Sequence, residues 1–329
     1  MRHLFRSTLW NQSERRLRAP WRLLVGFGMV FGITVVVFVL LFGLLSVLGL
    51  AVAFEPQTQP FVMTAFGGLI TVVAIGLLSQ YIDRRLFTDY GFRLDTNWWL
   101  DCVFGLCLGA VLMTGIFLSG LAFGWFAVVD TARLADDFWL SFGVVLATFI
   151  VVGIYEELLL RGYLLTNLAE GFTWFDSLGH RGAVVAATLL SSSVFGVFHA
   201  TNPNATLLST LFISVAGVML AAGYLFTGEL AIPIGLHITW NVFQGVVYGF
   251  PVSGLTIPVS LIDTAPRGPA VVSGGAFGPE AGIVGLAAMV VGTAWIAGYV
   301  GFREGTLRLH PAITTPELRE TPDSSVDDE

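Results

Sequence analysis

The sequence predicts an all-α fold, a polytopic membrane helix bundle of about eight transmembrane helices, and three observations lead there. The chain is 55% hydrophobic and 12% charged, with a mean hydropathy of +0.79, whereas soluble domains run near about 25% charged. Its apolar runs are long enough to cross a bilayer, which takes roughly 20 residues at 1.5 Å each. Its basic residues, all 16 of them arginine, gather on alternate connections between those runs, the pattern left by retention of positive charge on the cytoplasmic side.

The expected spans are 21–54, 61–82, 99–129, 139–168, 183–200, 204–227, 229–250 and 281–302. The first follows a basic region, as a signal peptide would, but it is too long for a cleaved apolar core and lacks a clear small-residue cleavage site, so it reads as an anchor. Residues 83–97, with Arg84, Arg85, Phe87, Tyr90, Phe92 and Arg93, read as a cytoplasmic amphipathic stretch at the lipid surface. Cys102 and Cys107 share one helix about 140° apart, so they cannot bridge and read as packing residues. The loop 251–278 is placed outside the membrane, its VSGLTIPVSLI segment being apolar enough to cap a cavity, and it is given no catalytic role. The acidic tail 314–329 is expected to be disordered. Eight crossings leave only Arg133 and Arg267 outside and place both termini in the cytoplasm of a cell-membrane protein.

Within this apolar background the stretch VVGIYEELLLRGYLL stands out. Each charge at the centre of a membrane helix costs at least about 2.5–3.5 kcal/mol, so Glu156, Glu157 and Arg161 mark a functional site. Glu157 and Arg161 lie four apart, acid first, the favourable order for an ion pair on one helix face. Glu156 points 100° away and is left without a local partner, which suits a general base. Two further spans carry polar groups at depth. His199 follows Phe195 by one turn and precedes a break at Thr201–Asn204; irregular backbone at that depth is tolerated against protein or a water-filled cavity. His237 and Asn241 lie four apart on another span, with Gln244 near their face. At 1.5 Å per residue, a helix starting at Ala183 carries His199 toward the end opposite Glu156, so a shared site requires that helix to start deeper or tilt, with its break inside the protein.

Four unmatched polar groups on three spans suit hydrolysis of an amide, which needs a base for water and donors for the oxyanion. Glu156 is the expected base, His199 holds or polarises the water, and His237 with Asn241 donates to the developing charge. There is no HExxH and no GxSxG, so the helix-borne zinc pair and the serine elbow are both absent. A divalent metal such as zinc held by Glu156, His199 and His237 is the alternative; Asn241 is a poor fourth ligand, which favours a reading without cofactor.

Three elements in order, EExxxR as Glu156, Glu157 and Arg161, FxxxH as Phe195 and His199, and HxxxN as His237 and Asn241, resemble the CPBP family of intramembrane proteases. That family includes the type II CAAX prenyl endopeptidases and relatives linked to bacteriocin processing or self-immunity, often described as metalloproteases. The resemblance implies a membrane-embedded helical fold, a core over residues 139–250, and cleavage of a peptide bond in or at the membrane. It also implies Glu156 and His199 as the water-activating pair, His237 and Asn241 as the oxyanion site, and Glu157, Arg161 and Phe195 in support. Residues 1–138 then form an N-terminal region of three spans, and 251–313 an external loop with the last span. The expected partners are a membrane protein or peptide substrate and the lipid bilayer. A net charge of −7 without lysine excludes a general nucleic-acid binder. The competing reading is a transporter, or a binding or immunity protein using the same cluster as an ion or ligand path; the repeated halves that would mark many transporters are not found.

Overall fold

The computed structural model describes residues 8–48, 56–133 and 138–319. The helices, in order, are α1 (Ala19–Val47), α2 (Gln59–Asp83), α3 (Thr96–Ala122), α4 (Phe138–Phe172), α5 (Gly179–Thr201), α6 (Leu207–Thr227), α7 (Ala231–Asn241) and α8 (Ile283–Glu304). All but α7 are long and apolar enough to cross a membrane. A backbone in hydrocarbon must satisfy its own N–H and C=O groups, and a helix does so locally. The protein is an integral, multi-pass membrane protein.

Three expectations about these elements are corrected. The span 229–250 is not a full-length apolar helix: α7 has 11 residues and continues into a six-residue π-helical turn, Val242–Val247. It need not match the bilayer, because nearly all of it is buried by neighbouring helices. The span 99–129 ends at Ala122, after which Gly124 takes a positive φ of 70° and turns the chain into a strand, β1 (Phe126–Asp130), antiparallel to β2 (Asp263–Pro266). The start of the acidic tail is tied down: Leu318 forms a β-bridge with Arg85, and the Arg319 N–H donates to the Arg84 carbonyl at 2.8 Å. The remainder of that tail, 320–329, and the end of the first expected span, 49–54, lie outside the described residues.

α7 is placed by glycines. A Cβ on Gly105 or Gly109, a GxxxG pair on α3, would sit 2.3 and 2.4 Å from the carbonyl oxygens of Ile232 and Leu236. Conversely, a Cβ on Gly235 would sit 2.3 Å from the Cys102 carbonyl. Small residues let membrane helices approach backbone to backbone, and Thr239 Oγ1 then reaches across to donate to the Leu106 carbonyl at 2.7 Å. On the other side, Gly153 of α4 leaves room for Ile238. Gly109→Val is therefore expected to cost about 1–3 kcal/mol of stability through overpacking, read as a lower midpoint of thermal unfolding in lipid or detergent.

At the arginine-rich end the segment expected as an amphipathic stretch holds one 3-10 turn, Phe87–Tyr90. Asp83, Arg85, Asp89 and Tyr90 in it are buried. They join Arg16, Arg22, Glu14 and Glu170 in a network of three cations and four carboxylates. Arg22 Nε lies 3.1 Å from Asp83 and also donates to Asn167 at 2.7 Å, while Glu170 receives Arg16 at 2.9 Å and pairs with Arg85. Buried charges persist when they are paired and hydrogen-bonded, and this cluster joins the chain before α1 to the ends of α2 and α4.

Candidate active site

Glu156 and Glu157 close the α-helical part of α4, which then widens into a π-helical stretch, Leu158–Leu165. Such π segments recur at functional sites because the wider turn re-aims side chains. The expected pair forms: Arg161 Nη1 donates to Glu157 Oε1 at 3.0 Å, both residues being essentially buried. Arg161 also donates to the Gly217 carbonyl of α6 at 3.1 Å, and its guanidinium lies 4.6 Å from the centre of the Phe195 ring. Phe195 in turn meets the rings of His199 and His237 edge-on, at centroid separations of 4.7 and 6.0 Å. The FxxxH phenylalanine thus packs between the buried cation and both histidines.

Glu157 does more than neutralise Arg161. Its Oε1 lies 2.8 Å from Nδ1 of His237, across from α4 to α7. A carboxylate there takes a hydrogen bond from Nδ1–H and so fixes which nitrogen of the ring is turned away. The other nitrogen, Nε2, lies 3.9 Å from Glu156 Oε2. Glu156 is not without a local partner, as the sequence suggested, because the Tyr155 hydroxyl donates to its Oε1 at 2.9 Å. Its Oε2 is buried and has no hydrogen-bond partner among the described residues. One oxygen of the carboxylate is anchored and the other is open toward His237.

Glu156, His199, His237 and Asn241 all line one cavity of about 330 Å³. Its remaining walls are mostly apolar, with Phe61 of α2, Phe149 of α4 and Leu220 of α6 among them. Asn241, mostly buried, ends α7 one turn beyond His237. His199 follows the last α-helical residue of α5, with Nδ1 at 2.8 Å from the Phe195 carbonyl. α5 starts at Gly179, four residues before the expected Ala183, and the break after it lies against protein. Asn202 Nδ2 donates to the Ser253 carbonyl at 3.0 Å, and Gly254, with φ of 83°, packs so tightly on the Pro203 carbonyl that a Cβ would come within 1.9 Å.

The loop 251–278 supplies part of the cavity wall through Val252, Ser253 and Leu255, and Glu280 lines it as well. Glu280 was not singled out from the sequence. Its position ahead of an apolar span reads as an interfacial, solvated acid, and only the lack of a nearby basic residue hinted at burial. Among the described residues no three His, Cys, Asp or Glu side chains converge as a metal site, the set Glu156, His199 and His237 included. Both cysteines are free thiols, Cys102 buried and Cys107 exposed.

No curated protein and no solved structure matches this chain. Residues 138–243 match the family model described as type II CAAX prenyl endopeptidase Rce1-like. The matched stretch opens with α4 and closes two residues after Asn241, so it contains Glu156, His199, His237 and Asn241 and most, though not all, of the wall of the cavity they line. That domain supports the resemblance of this part of the chain to the CPBP family of intramembrane proteases.

Proposed function

We propose that this protease hydrolyses a peptide bond of a membrane-associated protein or peptide with water activated by Glu156, without a metal. The observation that carries this reading is the pairing of the open Glu156 Oε2 with Nε2 of His237 across a cavity that His199 and Asn241 also line. Water placed at Glu156 loses a proton to the carboxylate and adds as hydroxide to the scissile carbonyl carbon. The carbonyl oxygen takes up the negative charge and is met by the Asn241 amide N–H, one turn from His237. His237, with Nδ1 engaged by Glu157, turns Nε2 toward Glu156. His199, held at Nδ1 by the Phe195 carbonyl, uses Nε2 to orient the water. The proton on Glu156 passes to the leaving amine as the C–N bond breaks, leaving a carboxylate and an amine.

The metal-free reading rests on the donor set: Asn241 is an amide and a poor fourth ligand, and Glu156, His199 and His237 do not converge as a metal set among the described residues. We place the arginine-rich end in the cytoplasm on the distribution of basic residues. The test is cleavage of a membrane-peptide library by purified protein in lipid, with and without chelator. Asn241→Ala is expected to lower kcat about 100- to 1,000-fold, the usual loss of one oxyanion donor, His199→Ala should also abolish efficient turnover, and chelation should change nothing. Inactivation by chelator would overturn the metal-free mechanism, and full activity in Asn241→Ala would remove its assigned role.

A further inference from the structure

The segment after α7 is joined to the break after α5 by a buried polar chain outside the three motifs. Gln244, fully buried in the π-helical turn that follows Asn241, donates from Nε2 to the Pro251 carbonyl at 2.6 Å and to Glu280 Oε2. The Ser253 N–H donates to Glu280 Oε1 at 2.6 Å. The Ser253 carbonyl in turn accepts from Asn202, three residues after His199. One carboxylate therefore closes a path from the end of the His199 helix, through the roof loop, to the end of the His237–Asn241 helix. The path exists only because residue 278 is glycine: with φ of 124°, a Cβ there would lie 2.4 Å from the Pro251 carbonyl, 2.5 Å from Glu280 Oε2 and 2.8 Å from Gln244 Nε2.

We propose that Glu280 is a positioning residue of the active site, a pin that holds the ends of α5 and α7, and with them His199 and Asn241, at a fixed separation across the cavity. The proposal rests on the hydrolase reading for its effect on rate, but the pin itself does not. Its strength depends on the charge of the carboxyl. Two donors, the Ser253 N–H and the Gln244 amide, converge on two acceptor oxygens, which suits the ionised form. Protonation turns one oxygen into a donor facing the Gln244 amide nitrogen. The acceptor within reach is Gln244 Oε1, which is buried with no hydrogen-bond partner among the described residues. Turning the amide to use it withdraws Nε2 from the Pro251 carbonyl, and the roof loop loses a tie. Burial pushes the Glu280 carboxyl up to about 7, so the exchange between the two arrangements falls near neutrality.

The titratable groups facing this pin are those of the cavity it lines, Glu156, His199 and His237. Of the elements packed on the Pro279–Ala281 turn, the one-turn helix Ala270–Ser273 has no titratable side chain. α6 and α8 carry theirs, Tyr224 on one and Tyr299, Arg303 and Glu304 on the other, toward their far ends.

The test compares wild type, E280Q, E280A and Q244A in lipid by two readouts. In amide hydrogen exchange, residues 199–206 and 241–255 should exchange faster in E280A and Q244A than in wild type at pH 8. After correction for intrinsic rates, wild type should show a midpoint near pH 7 in those segments, and E280Q should show none. In kinetics, E280A should lower kcat roughly tenfold to a hundredfold with KM nearly unchanged, the cost of misplacing groups that do not themselves leave the site. Unchanged exchange in E280A overturns the pin. Faster exchange with unaltered kcat overturns its positioning role while cleavage that depends on Glu156 stands. Cleavage indifferent to Glu156 overturns the hydrolase reading, and the exchange result then decides the pin alone.

Discussion

Glu156→Gln is expected to slow peptide-bond cleavage about 10²- to 10⁴-fold, the usual contribution of a positioned general base. The amide is isosteric and still accepts a hydrogen bond from Tyr155 at the position of Oε1. It cannot take a proton from water, and its NH2 group would face His237 Nε2 where the wild-type side chain presents an open acceptor. KM should move little, because the change removes a group used in the transition state rather than a binding contact. Folding should be preserved, since Glu156 is only partly buried and makes no ion pair with an arginine. The measurement is single-turnover cleavage of a membrane peptide together with thermal unfolding of the same preparation. A well-folded Glu156→Gln protein that cleaves within a few-fold of wild type would remove the carboxylate from the mechanism.

Glu157→Ala should act on stability first. It leaves Arg161 buried with one carbonyl and the face of Phe195 as its remaining contacts. Removing one partner of a buried ion pair costs about 3–5 kcal/mol, because an uncompensated charge stays behind. Pairing the change with Arg161→Met removes both charges, and apolar replacement of a buried pair is often close to neutral. The double variant is therefore expected to regain most of the lost unfolding midpoint. It should not regain activity, since Nδ1 of His237 still lacks the carboxylate at 2.8 Å that fixes its tautomer. Recovery of both stability and turnover would show that Glu157 serves the fold alone; recovery of neither would show that it holds more than the arginine.

These two neighbours illustrate how far the sequence reaches. Helical geometry rotates each residue by 100°, so the Glu157–Arg161 pair and the divergence of Glu156 follow from spacing alone, and the pair is found at 3.0 Å. The Tyr155 hydroxyl on Glu156 was missed although it is adjacent in sequence, because a side chain that bends back on its neighbour leaves no periodic signal. The bond from His237 to Glu157 spans 80 positions and depends on how closely α7 approaches α4. That approach is set by Gly153, Gly105, Gly109 and Gly235, whose meaning as contact points appears only when the partner backbone is in place.

By itself the sequence determined that this is a multi-spanning helical membrane protein and which helices carry its polar groups. Hydrocarbon tolerates few other backbones, and buried charge is too costly to be incidental. It also determined the order and spacing of the three motifs. Only the tertiary structure decided that the seventh helix is short and clasped between two others, and that Arg16, Arg22 and Arg85 are buried against carboxylates. The same holds for a distant glutamate and glutamine closing the roof of the cavity. Periodicity is a local property of one helix, whereas the pairing of polar atoms between helices is fixed by close packing, which one chain position at a time does not encode.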